Sequence, residues 1–335
     1  MLKYSVFNVK SINTAEINLR SELPERWQNE LKQGGWLRIF LPKALKGAQL
    51  SLPAGLEVLY KTAKINGSLG WRVNLGAGAG FFAGSMPFET AEQVYGAPDA
   101  VVAGSGSATG KASRQPFGWK VSGAWTFCTG ALSATAFTVN AKLPKGEVRT
   151  FILHPDQISV VKNWPYWALK ATETYAIEAK DALVPYEYSF TIGQYNNFPD
   201  YSLYDLDFML FARFCMSASL LGMAAGFLEE YKKAEIKDSE FGVAFAAEKD
   251  FELYHSIFKS ELWNLASEAK KVEKPSDQKS LNSSLQKLIK RLKPLMEIKS
   301  LEMMQTIGLE AMNETLELHQ KWKDFLLAGQ HFLYK

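Results

Sequence analysis

His331 is one of only 4 histidines in a chain of 335 residues. An imidazole exchanges its proton near neutral pH, so it can work as a general acid or base. The segment that carries it runs from Gln320 to Tyr334 and includes Trp322, Phe325, Leu326, Phe332, Leu333 and Tyr334. A terminal segment without a role tends towards polar disorder, so this one is expected to dock as a helix with the imidazole at its end. The competing reading is a helix-end histidine satisfied by the C-terminal dipole.

A second string with chemical potential is Trp119-Lys120-Val121-Ser122-Gly123-Ala124-Trp125-Thr126-Phe127-Cys128-Thr129-Gly130. It reads as a hairpin turning at Ser122-Gly123 with a tryptophan on each arm. The second arm ends in a hydroxyl and a glycine, where backbone N–H groups can meet a ring with several acceptors. The alternative is a sheet hairpin that buries both tryptophans. The stripe Gly76-Ala77-Gly78-Ala79-Gly80 has two readings as well, tight helix packing or the close approach of a flat ligand.

Other motifs exclude chemistry. Gly104 to Gly110 has the wrong spacing for a dinucleotide fingerprint, and strands follow where a helix should receive the phosphate. A mobile Gly/Ser loop is expected there. No Walker motif, His-Glu-x-x-His or paired-histidine spacing occurs, so no metal site is expected. No Gly-x-Ser triple occurs, so serine hydrolase chemistry has no support. Glu229, Glu230, Glu240 and Glu248 read as solvated helix-face charges.

The elements that must hold these groups fall into three textures. Residues 1–96 read as short helices, opened at Pro24, Ser51, Ser68 and Pro87 and stopped at Gly34-Gly35. Residues 97–198 alternate as short strands, including 134–141, 149–154, 172–178 and 182–184, and imply an antiparallel sandwich or barrel. Residues 199–335 are helical: 205–233 as an apolar core helix, then 241–272, 280–292 and 296–334, with Pro294 separating the last two.

Composition sets the class: 47% hydrophobic, 22% charged and a net charge of +3 describe a globular chain with no electrostatic argument for nucleic acid or a membrane surface. The longest apolar run, Phe214 to Leu228, is short for a bilayer, and Met1 to Arg20 lacks a secretory core. Cys128 and Cys215 lie far apart, so a reducing cytoplasm is expected.

Together, the order of segments and three strings resemble the acyl-CoA dehydrogenase superfamily. The strings are Gly35 to Pro42, the Trp119–Gly130 run, and Trp164 to Pro185 with Leu169, Lys170, Ala171, Thr172 and Thr174. The resemblance implies an α+β multidomain fold: an N-terminal helical domain, a middle antiparallel β-barrel or sandwich, and a C-terminal four-helix bundle. It also implies FAD or FMN as cofactor and a homodimer or homotetramer. The Glu-Gly-Thr-type loop of true dehydrogenases is missing here. The reductase-supplied flavin monooxygenases are nearer: Trp125 to Gly130 is similar to their Trp-x-Phe-x-Ser-Gly, with Thr129 for Ser. Trp322, Asp324, Gln330 and His331 are similar to their C-terminal pattern, with Gln320 and Lys323 replacing two arginines.

This resemblance assigns Trp125, Phe127, Cys128, Thr129, Gly130 and Thr172 to the flavin and His331 to catalysis. It implies a small-molecule substrate, reduced flavin, O2 and a separate flavin reductase. Two alternatives stand beside it. One is an acyl-CoA dehydrogenase with a displaced glutamate. The other is a non-catalytic binding module, favoured by Asp238-Ser239-Glu240 where dehydrogenases place a diphosphate-binding arginine.

Overall fold

A computed structural model describes residues 15–18, 21–194, 197–235, 241–269 and 275–335. The Asp238–Glu240 string lies outside the described residues. The helical start comprises α1 (Ala15–Asn18), α2 (Glu25–Gln33), α3 (Leu52–Ile65), α4 (Gly67–Gly78) and α5 (Phe88–Tyr95). Pro24 precedes α2 and Pro53 sits in the first turn of α3, as expected, but α4 opens earlier than the expected Ser68: it starts at Gly67, and the Asn66 side chain accepts from the Leu69 N–H to cap it. Arg38, in the Gly35–Pro42 string, is buried and donates to the carbonyls of Leu45, Tyr95 and Ala97. Its charge therefore holds loops together and faces no ligand.

Next come β1 (Val102–Gln115), β2 (Gly118–Cys128), β3 (Ala136–Lys142), β4 (Val148–Leu153), β5 (Ser159–Val161), β6 (Tyr175–Val184) and β7 (Ser189–Phe190). They form one seven-stranded sheet in the order β5-β6-β2-β1-β3-β4-β7. The sheet is mixed, because β1 pairs parallel with β3 while every other neighbouring pair is antiparallel. This corrects the purely antiparallel expectation.

Two further corrections follow from β1 and β2. Gly104 to Gly110 is no mobile loop; it lies inside β1, where the pairing with β3 shifts register between Ser105 and Gly110. Ser122-Gly123 is no turn; the chain reverses at Pro116-Phe117, and β2 continues through both residues with a register shift against β6. Glycine inside a strand marks a bulge as readily as a turn, and local sequence does not separate the two.

The second helical set is α6 (Phe208–Tyr231), α7 (Phe241–Glu268), α8 (Pro275–Ile307) and α9 (Glu317–Ala328). α6 is long and apolar enough to cross a membrane, yet 78% of its most apolar window is buried inside the fold. It packs against α3, α4, α7 and α9, so one apolar core unites the first and second helical sets while a separate core lies in the sheet. Pro294 does not divide the last helices as expected. It sits inside α8 on an exposed position, where water can satisfy the carbonyl that its missing N–H leaves unpaired. The break comes instead at Gly308, whose φ is +81°.

Candidate active site

The residues that come together here are brought by α4, the end of β2, the turn before β6, and the segment after α9. Trp71 Nε1 on α4 donates to Thr129 Oγ1 at 3.2 Å. The Thr129 and Thr174 hydroxyls lie 2.8 Å apart, and so do those of Thr174 and Thr172. Thr172 Oγ1 donates to the Leu169 carbonyl at 2.8 Å. Each hydroxyl has a single proton, which sets the direction of the whole ladder. Thr172 gives its proton to the carbonyl, so Thr174 gives its own to Thr172, and Thr129 gives its own to Thr174. The Thr129 oxygen is left as an acceptor.

One residue further along α4, Arg72 enters the same junction. Its Nη1 lies 3.2 Å from Glu173 Oε2, and its Nη2 donates to Ser133 Oγ at 2.6 Å. Gln28 Nε2 donates to Glu173 Oε1 at 3.3 Å. Both charged side chains are buried, Arg72 to 4% exposure and Glu173 to 0%. Burial works against the Arg72 charge, and the adjacent carboxylate supports it. Gly130, with φ of +80°, lies directly under the guanidinium, and a Cβ there would collide with Arg72 Nη1. Gly130 is therefore needed for the approach of α4 to the sheet.

Between α4, β1, β3, α6 and the last turn lies a cavity of about 180 Å³. Thr129 and His331 both line it. Gly78 opens onto it as well, since a Cβ built there meets nothing within 4 Å, whereas one at Gly76 or Gly80 would meet Leu37 or Leu41. Gly76 and Gly80 thus fit the tight-packing reading of the small-residue stripe, while Gly78 leaves open space beside the cavity. The His331 ring meets the edge of Trp71 at 5.8 Å between centroids. Its Nδ1 accepts from the Leu333 N–H at 3.4 Å, so the proton of the neutral ring resides on Nε2. Burial lowers its pKa to about 4. His331 is therefore neutral at pH 7, able to donate from Nε2 but not to act as a stored acid; the sequence expectation of titration near neutrality does not hold.

The other residues assigned from sequence are placed differently. Trp125 is fully buried in the sheet core and donates to the Asn140 carbonyl at 2.8 Å. Cys128 is equally buried, and its thiol is pushed up to about 12 by burial. Thr172 is buried in the hydroxyl ladder. None of these three lines the cavity. Phe127 adopts a left-handed φ of +60° and is 57% exposed, standing with Trp164 and Tyr166 as an aromatic group. The β2–β6 ladder is interrupted between Trp125 and Cys128, so Thr126 and Phe127 have no ladder partner in β6. Trp71, Arg72 and Glu173 were not foreseen. An arginine in an otherwise apolar, glycine-rich helix was the available signal.

Asp324, also in the C-terminal pattern, is buried, and its Oδ1 accepts from the Leu169 N–H at 2.7 Å. It abuts the first turn of α4, where a Cβ at Gly67 would lie 2.5 Å from Oδ2. Burial raises its pKa to about 7, opposed by the Leu169 hydrogen bond and by Lys323. A carboxyl whose folded pKa lies above its unfolded value contributes stability below the unfolded value and loses it as pH rises through the folded one. Stability should therefore fall between about pH 4 and 7 by up to about 4 kcal/mol from this group, at about 1.4 kcal/mol per pKa unit. Asp324→Asn keeps the acceptor and removes the charge. Urea unfolding at pH 5 and pH 8 should show a smaller pH-dependent loss in the variant; equal losses would refute the assignment.

No family model matches the chain. It is 26% identical over 210 residues to an indole-3-acetate monooxygenase of Acinetobacter baumannii, covering 61% of this chain and 54% of that protein. It is 26% identical over 204 residues to an indole-3-acetate monooxygenase of Pseudomonas putida, covering 59% and 52%. The match thus spans about half the length of these curated relatives. Among solved structures, 3-HSA hydroxylase from Rhodococcus sp. RHA1 superposes with a TM-score of 0.86 at 16% identity, covering 96% of this chain and 88% of that one. XiaF from Streptomyces sp., in complex with FADH2 and glycerol, gives 0.80 at 18% identity, covering 96% and 87%. FMN-bound TdsC from Paenibacillus sp. A11-2 gives 0.80 at 15% identity, covering 94% and 90%. The chain shares the acyl-CoA dehydrogenase-like fold of these flavin-dependent two-component monooxygenases.

Proposed function

We propose that this chain, on the fold it shares with two-component flavin monooxygenases, is itself a flavin-dependent oxidoreductase of the monooxygenase type. One observation carries the reading: Trp71 joins Thr129 and His331 beside one cavity, bonding one and stacking edge-on with the other. The residues fit a flavin ring. Thr129 offers an acceptor for a ring N–H, Thr126 and Phe127 offer a bulge where the β2–β6 ladder is interrupted, and Phe127, Trp164 and Tyr166 offer flat apolar faces. Trp125, Cys128 and Thr172 shape that edge from the core behind it. A bound reduced flavin would supply two electrons and the activation of O2.

The chain's own groups do the rest. His331 holds its proton on Nε2 and, lining the cavity, would offer it to a bound ligand. The apolar side chains that α4 and α6 contribute to the lining lower the polarity around a bound ring. A separate reductase would deliver the reduced flavin, and a cytoplasmic setting with homo-oligomeric assembly goes with the reading.

The dehydrogenase alternative needs a carboxylate base at the cavity, and none of the described lining residues is Asp or Glu. Glu229 pairs with Lys64, Glu230 with Lys233 and Lys321, and Glu248 with Lys232. The test is a titration with FAD and FMN, each oxidised and anaerobically reduced. Micromolar or tighter binding of reduced flavin is expected. No change in absorbance or fluorescence with either flavin in either state would overturn the proposal in favour of a binding module.

A further inference from the structure

We propose that Thr172 and Thr174, neither of which lines the cavity, make the site select reduced over oxidised flavin by fixing which way the Thr129 hydroxyl points. The inference deepens the flavin reading and rests on it for the identity of the ligand. Its basis is a change of hydrogen-bonding sign between the two redox states. Reduction places a hydrogen on the central-ring nitrogen N5, so an atom that accepts in the oxidised ring donates in the reduced one. A hydroxyl that can only accept therefore favours the reduced ring, and one free to donate does not.

Whether Thr129 can donate is settled away from the cavity. Thr172 is fully buried and Thr174 is 3% exposed, so their hydroxyls bond within the ladder and not to solvent. One end of that ladder cannot turn round. A carbonyl oxygen has no proton to give, so the 2.8 Å contact between Thr172 Oγ1 and the Leu169 carbonyl is a hydrogen bond only with Thr172 as donor. The reverse ladder would set lone pairs against each other there and release the Thr129 proton towards the cavity. Trp71 closes the other end: its indole N–H can only donate, and it occupies one lone pair of Thr129. Thr129 keeps one further lone pair and no free proton.

The anchor is itself held by the C-terminal helix. Leu169 has a left-handed φ of +52°, a conformation that costs a residue with a side chain. Its N–H donates to Asp324 Oδ1 on α9 at 2.7 Å, and its carbonyl also accepts from the Thr172 N–H at 3.4 Å. Asp324 is therefore a positioning residue. It holds the turn that presents the Leu169 carbonyl, and that carbonyl points the three hydroxyls. The same helix leads into His331, so α9 governs both the acceptor and the donor at the cavity.

The test is an anaerobic titration of the full chain with FMN and FAD, each oxidised and reduced, read as the ratio of the two dissociation constants. Wild-type protein should bind the reduced form about 10-fold or more tightly, the scale of one buried hydrogen bond made against one left unmade. Thr172→Val removes the anchoring bond and Thr174→Val removes the middle rung, so each lets the Thr129 proton turn to the cavity. In either variant the ratio should approach unity, because oxidised flavin binds more tightly while reduced flavin binds about as before. Damage to the fold would instead weaken binding of both forms. Thr172→Ser restores the anchor and should restore the ratio. Asp324→Ala should lower it, whereas Asp324→Asn, which keeps an acceptor for the Leu169 N–H, should not. His331 is the same in all of these proteins, so its contribution cancels from the comparison. A wild-type ratio in folded Thr172→Val and Thr174→Val overturns the proposal and leaves the flavin reading standing. So does wild-type binding with no preference for the reduced form. Failure of both flavins to bind in either state removes the flavin reading and this proposal with it.

Discussion

His331→Ala is expected to lower turnover by at least about 100-fold, the lower end of what a positioned proton donor or acceptor contributes, while flavin affinity changes little. The argument rests on protonation state. Burial holds the ring neutral with a pKa of about 4, and the Leu333 N–H occupies Nδ1, so Nε2–H is the group offered to the cavity. A glutamine at 331 retains a donor and should recover part of the rate; an alanine should not. Stopped-flow product formation, with flavin binding measured separately, checks this, and equal turnover in wild type and alanine variant would show His331 to be structural.

The same substitution carries a stability signature that does not depend on any flavin. The folded pKa of His331 lies below its unfolded value, so its contribution is present above about pH 6.5 and is lost as pH falls towards 4. That loss is worth up to about 3 kcal/mol. His331→Ala should therefore unfold less readily than wild type in acid relative to neutral pH. His255, also lowered to about 4 by burial, keeps a similar acid sensitivity in both proteins.

Arg72→Met is expected to destabilise the chain by about 3–5 kcal/mol, because it leaves Glu173 charged, buried and without its cation. The methionine stem preserves most of the apolar volume, so the loss reports the broken pair. Adding Glu173→Gln removes the stranded charge and should restore most of the stability, since a buried pair replaced as a unit costs far less than one broken. Chemical unfolding of the single and double variants decides it. A single variant within about 1 kcal/mol of wild type would mean that Ser133 and Gln28 satisfy Glu173 unaided. Because Arg72 neighbours Trp71 on α4, this pair also sets how α4 carries its indole to Thr129.

Much of the helical architecture was legible in the chain. Prolines at helix starts act through local backbone geometry, so α2, α3 and α5 could be located from a few neighbouring residues each, whereas α4 is capped by Asn66 and not opened at the expected Ser68. The strand register was not legible. Ser122-Gly123 carries a turn signature yet lies within β2, because its conformation is set by pairing with β1 and β6. Pro294 signals a break that did not occur, since its cost depends on whether the carbonyl it leaves unpaired faces water.

For the candidate site the division is sharper. Sequence alone singled out Thr129 and His331 as groups capable of chemistry, from residue type and a resemblance that spans two distant strings. It also grouped Trp125, Cys128 and Thr172 with them, because neighbours in sequence cannot be sorted by the face they present without the sheet. Tertiary structure made that assignment: it turned Trp125 and Cys128 into the core, set the direction of the Thr129–Thr174–Thr172 hydroxyl ladder, and lowered the His331 pKa by burial. It also introduced Trp71 and Arg72 from a helix that the sequence marked by Ser68 and its glycines. Local chemistry is written in residue types, whereas protonation, hydrogen-bond direction and access depend on desolvation and on partners distant in the chain, which only packing supplies.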